Sequence, residues 1–394
     1  MKTRITLWGL WIALFTVACG DVASQQIVPK IDMNAEYSEK KVFLQDIADV
    51  SYIPLETTDE MLFDASGMIA EMSGEGIVGV DVWFNKLCFF TADGKAVRTL
   101  ERKGQGPEEY LHLDNALVDR ECGEVYVVDR TRKTLHVYAL DGTYRRTLKF
   151  DTSSLRLNDL AIYNKDYLIS FRDYPVAKGL NKQVTPYCPA VLVSKKDGVI
   201  VDSLPLQKDY VASITIGRVV SGEYRAPRAF HRSGHSLYLS DIGSDTIYSI
   251  DTKRSMLRPL LMREPSVRQD EDGKFFLHLR GVTSRYAILH RQAKKITMGA
   301  NFQMKDEDSH FLLYDRKTGD ICTPRFVNRE WDSSEAMPMI EITAGNEDCG
   351  YVKLEPFRLI EALEAGELSG KLKDIAQGLK EDDNPVLMVV KFKK

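Results

Sequence analysis

The chain has 394 residues, with 53 Lys and Arg against 57 Asp and Glu, for a net charge of −4. A mildly acidic balance gives no electrostatic reason to bind nucleic acid or an anionic membrane surface, so neither is expected as a partner. At 44% hydrophobic and 28% charged, the composition is that of a folded chain, enough for one large repeat domain or two ordinary ones.

Residues 1–18 read as a leader. Lys2 and Arg4 supply a positive start, Ile5–Val17 is a mostly apolar run of 13 residues, and Ala18 is a small residue before Cys19. Thirteen helical residues span only about 20 Å, too short to cross a bilayer comfortably. The cysteine straight after a small residue resembles a bacterial lipobox, which implies that Cys19 is lipidated and becomes the mature N-terminus. Thr16 departs from that motif, which usually carries Leu there, and the alternative is a secretory leader with an incidental cysteine. Loss of the two basic leader residues takes the mature charge to −6. Residues 19–40 then read as the lipidated cysteine and a polar tether.

From residue 41 the pattern is of strands. Lys41–Leu55 alternates apolar and polar positions. Five hairpins of one grammar follow: Gly76–Leu100 turning at Asp93-Gly94, Glu124–Phe150 at Asp141-Gly142, and Tyr167–Leu206 at Asp197-Gly198. Ser236–Leu260 turns at Asp251-Thr252, and Ala287–Pro324 near Lys317–Gly319. Asp-Gly between alternating runs predicts type I′ turns, with φ > 0 at both central residues. Successive turns lie 48, 56, 54 and about 66 residues apart, periods that suit a four-stranded propeller blade with variable loops. Pro356–Lys380 carries an approximate helical apolar face broken at Gly366 and Gly370, and predicts two short helices packed outside the ring. Asn384–Lys394 is a last strand. Paired with Lys41–Leu55 in a sixth blade, it would remove the open sheet edge. The expected fold is all-β: one six-bladed β-propeller over residues 41–394, with N- and C-terminal strands closing the last blade and a helical insertion at about 356–380.

Three stretches carry a resemblance: DIADVSYIPLETTDE (Asp46–Glu60), the GQGPEEY loop (Gly104–Tyr110) followed by VYVVD, and EDDNPVLMVVKFK (Glu381–Lys393). The chain resembles the six-bladed β-propeller lipoproteins of Bacteroidales, relatives of the NHL-repeat propellers. The resemblance implies the propeller fold and an envelope location, at the outer membrane or in the periplasm. It assigns no biochemical role.

No motif for chemistry stands out. Gly104-Gln105-Gly106-Pro107 is followed by strand pattern, not by the helix that a phosphate-cradling loop opens. It reads as a blade connection in which Tyr110 plugs the space between sheets. The acidic clusters Glu108/Glu109, Asp270/Asp272 and Glu381-Asp382-Asp383 are too close in sequence to face each other across a substrate as glycosidase carboxylates do. Ser240–Asp245 offers oxygen atoms for calcium without a supporting repeat. His231 and His235 have the i, i+4 spacing of a zinc helix, but Gly234 intervenes and the flanks read as a turn into a strand, leaving a loop histidine and a strand-start histidine. Five cysteines beyond Cys19 are scattered, with no metal spacing and room for one disulfide. No metal, cofactor or catalytic residue is expected from motifs.

What remains is a ligand face. Trp83, Phe84, Tyr174, Tyr187, Tyr210, Tyr224 and Trp331 fall near inter-strand connections, where aromatic faces can stack on sugar rings or anchor a protein. Arg225, Arg228 and Arg232, with Lys208 and Arg218, suggest a basic patch for an acidic ligand. The candidate ligand face is therefore Trp83, Tyr174, Tyr224, Arg225, Arg228, His231 and Trp331. The leading expectation is a non-enzymatic binding or scaffolding module of the cell envelope, held at the membrane through Cys19, with a protein, peptide or glycan partner. The alternative is an envelope enzyme of the glycan hydrolase or lyase type, working in the central funnel.

Overall fold

The structure, a computed structural model, describes residues 28–394 apart from 65, 151–154, 173–182, 211–212, 217–218, 224–227, 269–273, 299–303, 306–307 and 333–336. It is a six-bladed β-propeller. Blade 1 is Met68–Ser73, Gly76–Asp81, Lys86–Phe90 and Ala96–Glu101; blade 2 is Asn115–Asp119, Glu124–Asp129, Thr134–Ala139 and Tyr144–Lys149. Blade 3 is Leu155–Ile162, Tyr167–Arg172, Ala190–Ser194 and Ile200–Ser203. Blade 4 is Phe230–Ser233, Ser236–Leu239, Thr246–Asp251 and Met256–Glu264. Blade 5 is Phe275–Val282, Tyr286–Ala293, His310–Asp315 and Ile321–Val327. Blade 6 combines Glu341–Ile342, Cys349–Leu354 and Val386–Phe392 with the N-terminal strand Ala48–Pro54.

Strand alternation explains how the ring packs. A blade is covered on both faces by its neighbours, so its middle strands are apolar on both sides: Gly76–Asp81 and Glu124–Asp129 are buried throughout. On the second strand of blade 2, Val125 and Val127 face blade 1, while Tyr126 and Val128 face blade 3. Six such apolar layers fill the gaps between blades, one per gap. Each fully buried Val or Leu contributes roughly 1.5–3 kcal/mol. Stability is therefore spread round the ring. Tyr110 plugs the first layer as expected, fully buried, its hydroxyl donating to the Asn85 carbonyl at 2.7 Å.

The two ends of the chain meet in blade 6, where Ala48–Pro54 runs antiparallel to Val386–Phe392 over seven residue pairs. Buried Asn384 fastens the seam. Its amide donates to the Glu56 and Met61 carbonyls at 2.8 and 2.7 Å, and its Oδ1 accepts from the Phe63 N–H at 2.7 Å. The strand expected over Lys41–Leu55 is divided by a one-turn helix, Leu44–Ile47. Its first part, Glu39–Phe43, adds in parallel to the outer strand of blade 5. Lys30–Asp32, within the stretch read as tether, adds in parallel to the outer strand of blade 4. The N-terminal segment thus runs round the rim of blades 4, 5 and 6, covering two edges. Helices Pro356–Glu364 and Gly370–Ala376 form as expected and bury Leu359 and Leu372 against blade 6, together with Leu368 of the link between them.

The turns correct one expectation. At Asp93-Gly94, Asp141-Gly142 and Asp197-Gly198 only the glycine has positive φ, at 89°, 88° and 78°. These are type I turns followed by a left-handed glycine bulge, not type I′ turns, and the strand register shifts beside each. Asp141 stays right-handed because its carboxylate accepts the Thr143 N–H at 2.8 Å, stabilising the type I geometry.

Connectivity sorts the loops onto two faces. The turns joining the first to the second strand of a blade, and the third to the fourth, lie on one face and are short. The second-to-third and blade-to-blade connections lie on the other. That second face carries both C-terminal helices and two extra sheets. One pairs Gln183–Tyr187 with Lys208–Tyr210. The other links Ser213–Ile216 and Val219–Glu223 to Lys295–Met298 and Met304–Lys305, through parallel pairing of Thr215 with Lys295.

Candidate functional site

The first strands of the six blades enclose a central cavity of about 880 Å³. Its short-turn end is closed. The connection between Ile342 and Cys349 of blade 6 crosses the axis, so that Ala344 pairs with Gly234 of blade 4 and its carbonyl accepts the Met72 N–H of blade 1 at 3.2 Å. Blades 1 and 4 stand opposite each other in a six-membered ring, so this segment spans the channel. Backbone is packed on backbone there. A Cβ on Gly345, at φ 105°, would lie 2.6 Å from the Met72 carbonyl oxygen, and one on Gly234 would lie 2.3 Å from Glu347 Cγ. The cavity is a funnel, open toward the elaborated face at Ser66, Gly67, Arg228, Trp331 and Arg358.

Its wall is chemically two-sided. Blades 1 and 2 present Met68, Ile69, Ala70, Ala116, Leu117 and Val118. Blades 4 and 5 present Arg228, His231, Arg232, His278 and Arg280, with Glu341, Lys353 and Glu355 from blade 6. The lining residues include five permanent cations and three carboxylates, Asp159, Glu341 and Glu355. Asp159 is ion-paired with Arg156 at 3.0 Å and also accepts the Ala229 N–H at 2.9 Å. Arg280 meets Glu341 at 3.2 Å. Lys353 donates to the Gly67 carbonyl, and burial lowers its pKa. Arg232 donates to the Gly234 carbonyl at 3.3 Å and makes no ion pair among the described residues.

Arg228 differs from these. It is exposed, precedes the first strand of blade 4, and reaches across the mouth to the Met68 sulfur of the opposite blade at 3.5 Å. Among the described residues it makes no ion pair. His231 lies three residues further into the funnel, its Nε2 buried without a hydrogen-bond partner. Burial, reinforced by Arg228 and Arg280, pushes the His231 pKa down to about 3. His278 is likewise held at about 3, first by burial and then by His290, Arg280 and His231. Both imidazoles are therefore neutral at ordinary pH, each able to donate one hydrogen bond and accept another.

The structure gathers some of the sequence candidates and separates others. Arg228, His231 and Trp331 line the funnel. Trp331 is half-buried, its Nε1 donating to Glu367 at 3.3 Å. Trp83 is 74% exposed and Phe84 57%, on a turn of blade 1 at the same face but outside the funnel. Tyr174, Tyr224 and Arg225 lie outside the described residues, as do Cys19, Arg218, Asp270 and Asp272. His231 sits in an inner strand and His235 in the tight turn after it, the reverse of the expected order, because the strand Phe230–Ser233 begins before Gly234. Lys208 is no part of a basic patch, being buried against Asp241 at 3.1 Å. That pairing occupies a carboxylate of the loop considered for calcium. In the Gly104–Tyr110 loop Arg132 donates to the Gly104, Gly106 and Glu109 carbonyls. The five described cysteines are all free, and among the described residues no cluster of three or more metal-ligating side chains occurs.

Arg280 and Glu341 were missed, and nothing in the sequence selected His278 over His290 or His310. The available signal was polar residues in an otherwise apolar strand, HLRGV, but only closure of the ring brings them beside Arg228.

The chain belongs to the family described as a domain of unknown function, DUF4934, which matches residues 28–391. It is similar to the crystal structure of a Bacteroides fragilis NCTC 9343 protein described as exported. That match has 16% identity and a TM-score of 0.66, covering 93% of this chain and 99% of that one. A member of the DUF4221 family from Bacteroides vulgatus ATCC 8482 matches with 9% identity and a TM-score of 0.50, covering 89% and 99%. At these identities the likeness concerns the fold. No curated protein matches the sequence.

Proposed function

Starting from a propeller of the DUF4934 family, we propose that this protein is a non-enzymatic binding module of the cell envelope that holds its ligand in the one-ended funnel. The observation that carries the reading is the closure at Ala344. A channel sealed at one end and open on the face bearing every long insertion has the form of a receptor pocket, within the size range of small-molecule sites. The partner is a glycan, peptide or protein segment entering from the open face. Anchorage comes through Cys19, in the periplasm or at the outer membrane, as the leader pattern supports. The strand Lys30–Asp32 runs parallel to Met256–Glu264 toward the open face. The chain therefore reaches the ring from the closed-face side, which suits a funnel directed away from the membrane.

The test is native mass spectrometry of wild-type and Met68→Trp protein against pools of oligosaccharides and peptides. Met68 is half-exposed at the mouth, so tryptophan there obstructs entry without entering the core. Adducts on wild-type protein that the variant lacks support the funnel. Adducts equal on both would overturn it.

One observation favours a second reading, an envelope enzyme of the hydrolase or lyase type: two histidines, His231 and His278, line the same funnel as Arg228 and Arg280. Turnover of a bound oligosaccharide, abolished in His231→Ala while binding persists, would select it over simple binding.

A further inference from the structure

We propose that the funnel recognises a sugar acid, its carboxylate held by Arg228 at the mouth and its hydroxyls facing His231 below. This deepens the binding reading and rests on it.

Arg228 is the exposed cation of the lining whose charge is left open; Arg232, at the closed end beside Gly234, likewise makes no ion pair among the described residues but its Nε is buried. Among the described residues Arg228 makes no ion pair, it is exposed at the entrance, and the one hydrogen-bond contact of its guanidinium is to a thioether sulfur. Arg280, by contrast, already meets Glu341. The planar guanidinium fork matches a carboxylate in two parallel hydrogen bonds. A doubly charged phosphate would be repelled by Glu341 more strongly than a carboxylate, and Arg232, the second cation without an ion pair, lies at the closed end beside Gly234 rather than at the mouth. The site therefore suits a monoanion. The adjoining His231 Nε2 is buried and lacks a partner. The other ring nitrogen is engaged by the Arg228 backbone carbonyl, which leaves Nε2 as an acceptor that a hydroxyl can complete by donating. Trp331 adds a flat apolar face on the same wall, its ring held by the bond to Glu367. A carboxylate, vicinal hydroxyls and a ring that can lie on an indole together describe a uronic acid more closely than a peptide terminus, which lacks the hydroxyls.

Isothermal titration calorimetry on the whole protein tests this with three probes: trigalacturonate, its fully methyl-esterified form, and the tripeptide Gly-Gly-Asp. The expected result is binding of trigalacturonate, at least tenfold weaker binding of the ester, and weaker binding still of the peptide. Arg228→Ala should weaken trigalacturonate at least tenfold with an unchanged thermal unfolding midpoint, and Arg228→Lys should restore part of the loss. Equal affinity for acid and ester, an unaffected Arg228→Ala variant, no binding of trigalacturonate, or tighter binding of the peptide would each overturn the proposal. Met68→Trp separates the two levels. Charge-independent binding that Met68→Trp abolishes defeats the sugar-acid inference and leaves the funnel as the site. Binding that Met68→Trp does not touch defeats the funnel itself.

Discussion

Blades 1 and 2 and blades 4 and 5 are built from the same repeat and have been put to different uses. In blades 1 and 2 every connection within the sheet is short, and the same device recurs at the end of the second strand. Buried Asp81 accepts the Phe84 N–H at 3.0 Å and the Asp64 N–H at 3.1 Å; buried Asp129 accepts the Arg132 and Leu111 N–H groups at 2.9 and 2.7 Å. One carboxylate thus ties a turn to the incoming blade connection. Their contribution to the funnel is a mostly apolar wall. Blades 4 and 5 carry N-terminal edge strands, blade 5 and the approach to blade 4 carry large connections, and between them they supply Arg228, His231, His278 and Arg280. The regular part of the ring thus gives the funnel its apolar wall, and the irregular part gives it most of its ionisable side chains.

The largest expected effect is acid lability of the blade 4–5 wall. His231 and His278 have folded pKa values near 3, below the ordinary 6.5. Between those values the unfolded chain binds more protons, so stability falls as the pH drops from 6.5 toward 3. Each histidine contributes a slope approaching about 1.4 kcal/mol per pH unit. Imidazole proton resonances that stay unprotonated at pH 5, with urea stability declining below 6.5, are predicted; protonation near pH 6.5 in the folded protein would refute this.

Next comes the scaffold. Asp129→Ala leaves two N–H groups without their acceptor and should cost about 2–4 kcal/mol in chemical denaturation. Asp81→Ala should cost a similar amount, and neither should change ligand affinity. A loss at one site only would show that the repeated device is not equivalent in the two blades. The turns allow a finer comparison. Gly94 of blade 1 and Gly319 of blade 5 share a left-handed φ, 89° and 82°, but a Cβ on Gly94 would lie 2.3 Å from the Pro54 carbonyl while Gly319 faces open space. Gly319→Ala should cost about 1 kcal/mol from strain alone, and Gly94→Ala more than twice that, measured by the same denaturation. The smallest effect is at the rim. Lys30→Ala removes an exposed pair with Glu264, 57% open on both sides, and should change stability by less than about 0.5 kcal/mol.

The scaffold was legible in the sequence because it is local. Asp-Gly turns, alternation in Glu124–Asp129 and the Gly104–Tyr110 loop each express their role within a few residues, and together they set the blade count. The turn class was misread because Asp-Gly suits both a type I′ turn and a type I turn with a glycine bulge, and the Asp141 bond to Thr143 decides between them. The N-terminal edge strands were only partly legible, since parallel pairing to a blade hundreds of residues away leaves no local signal. The funnel chemistry was the least legible. Arg228 and His231 stood out as a basic, histidine-containing stretch, whereas His278 and Arg280 lie in another blade and meet them only after the ring closes.

The most direct test of the central claim is a crystal structure of the protein soaked with trigalacturonate. The sugar is expected in the funnel, with one carboxylate about 3 Å from the Arg228 guanidinium and a hydroxyl against His231. A sugar bound instead on the outer rim beside Trp83 and Phe84, with the funnel empty, would contradict it.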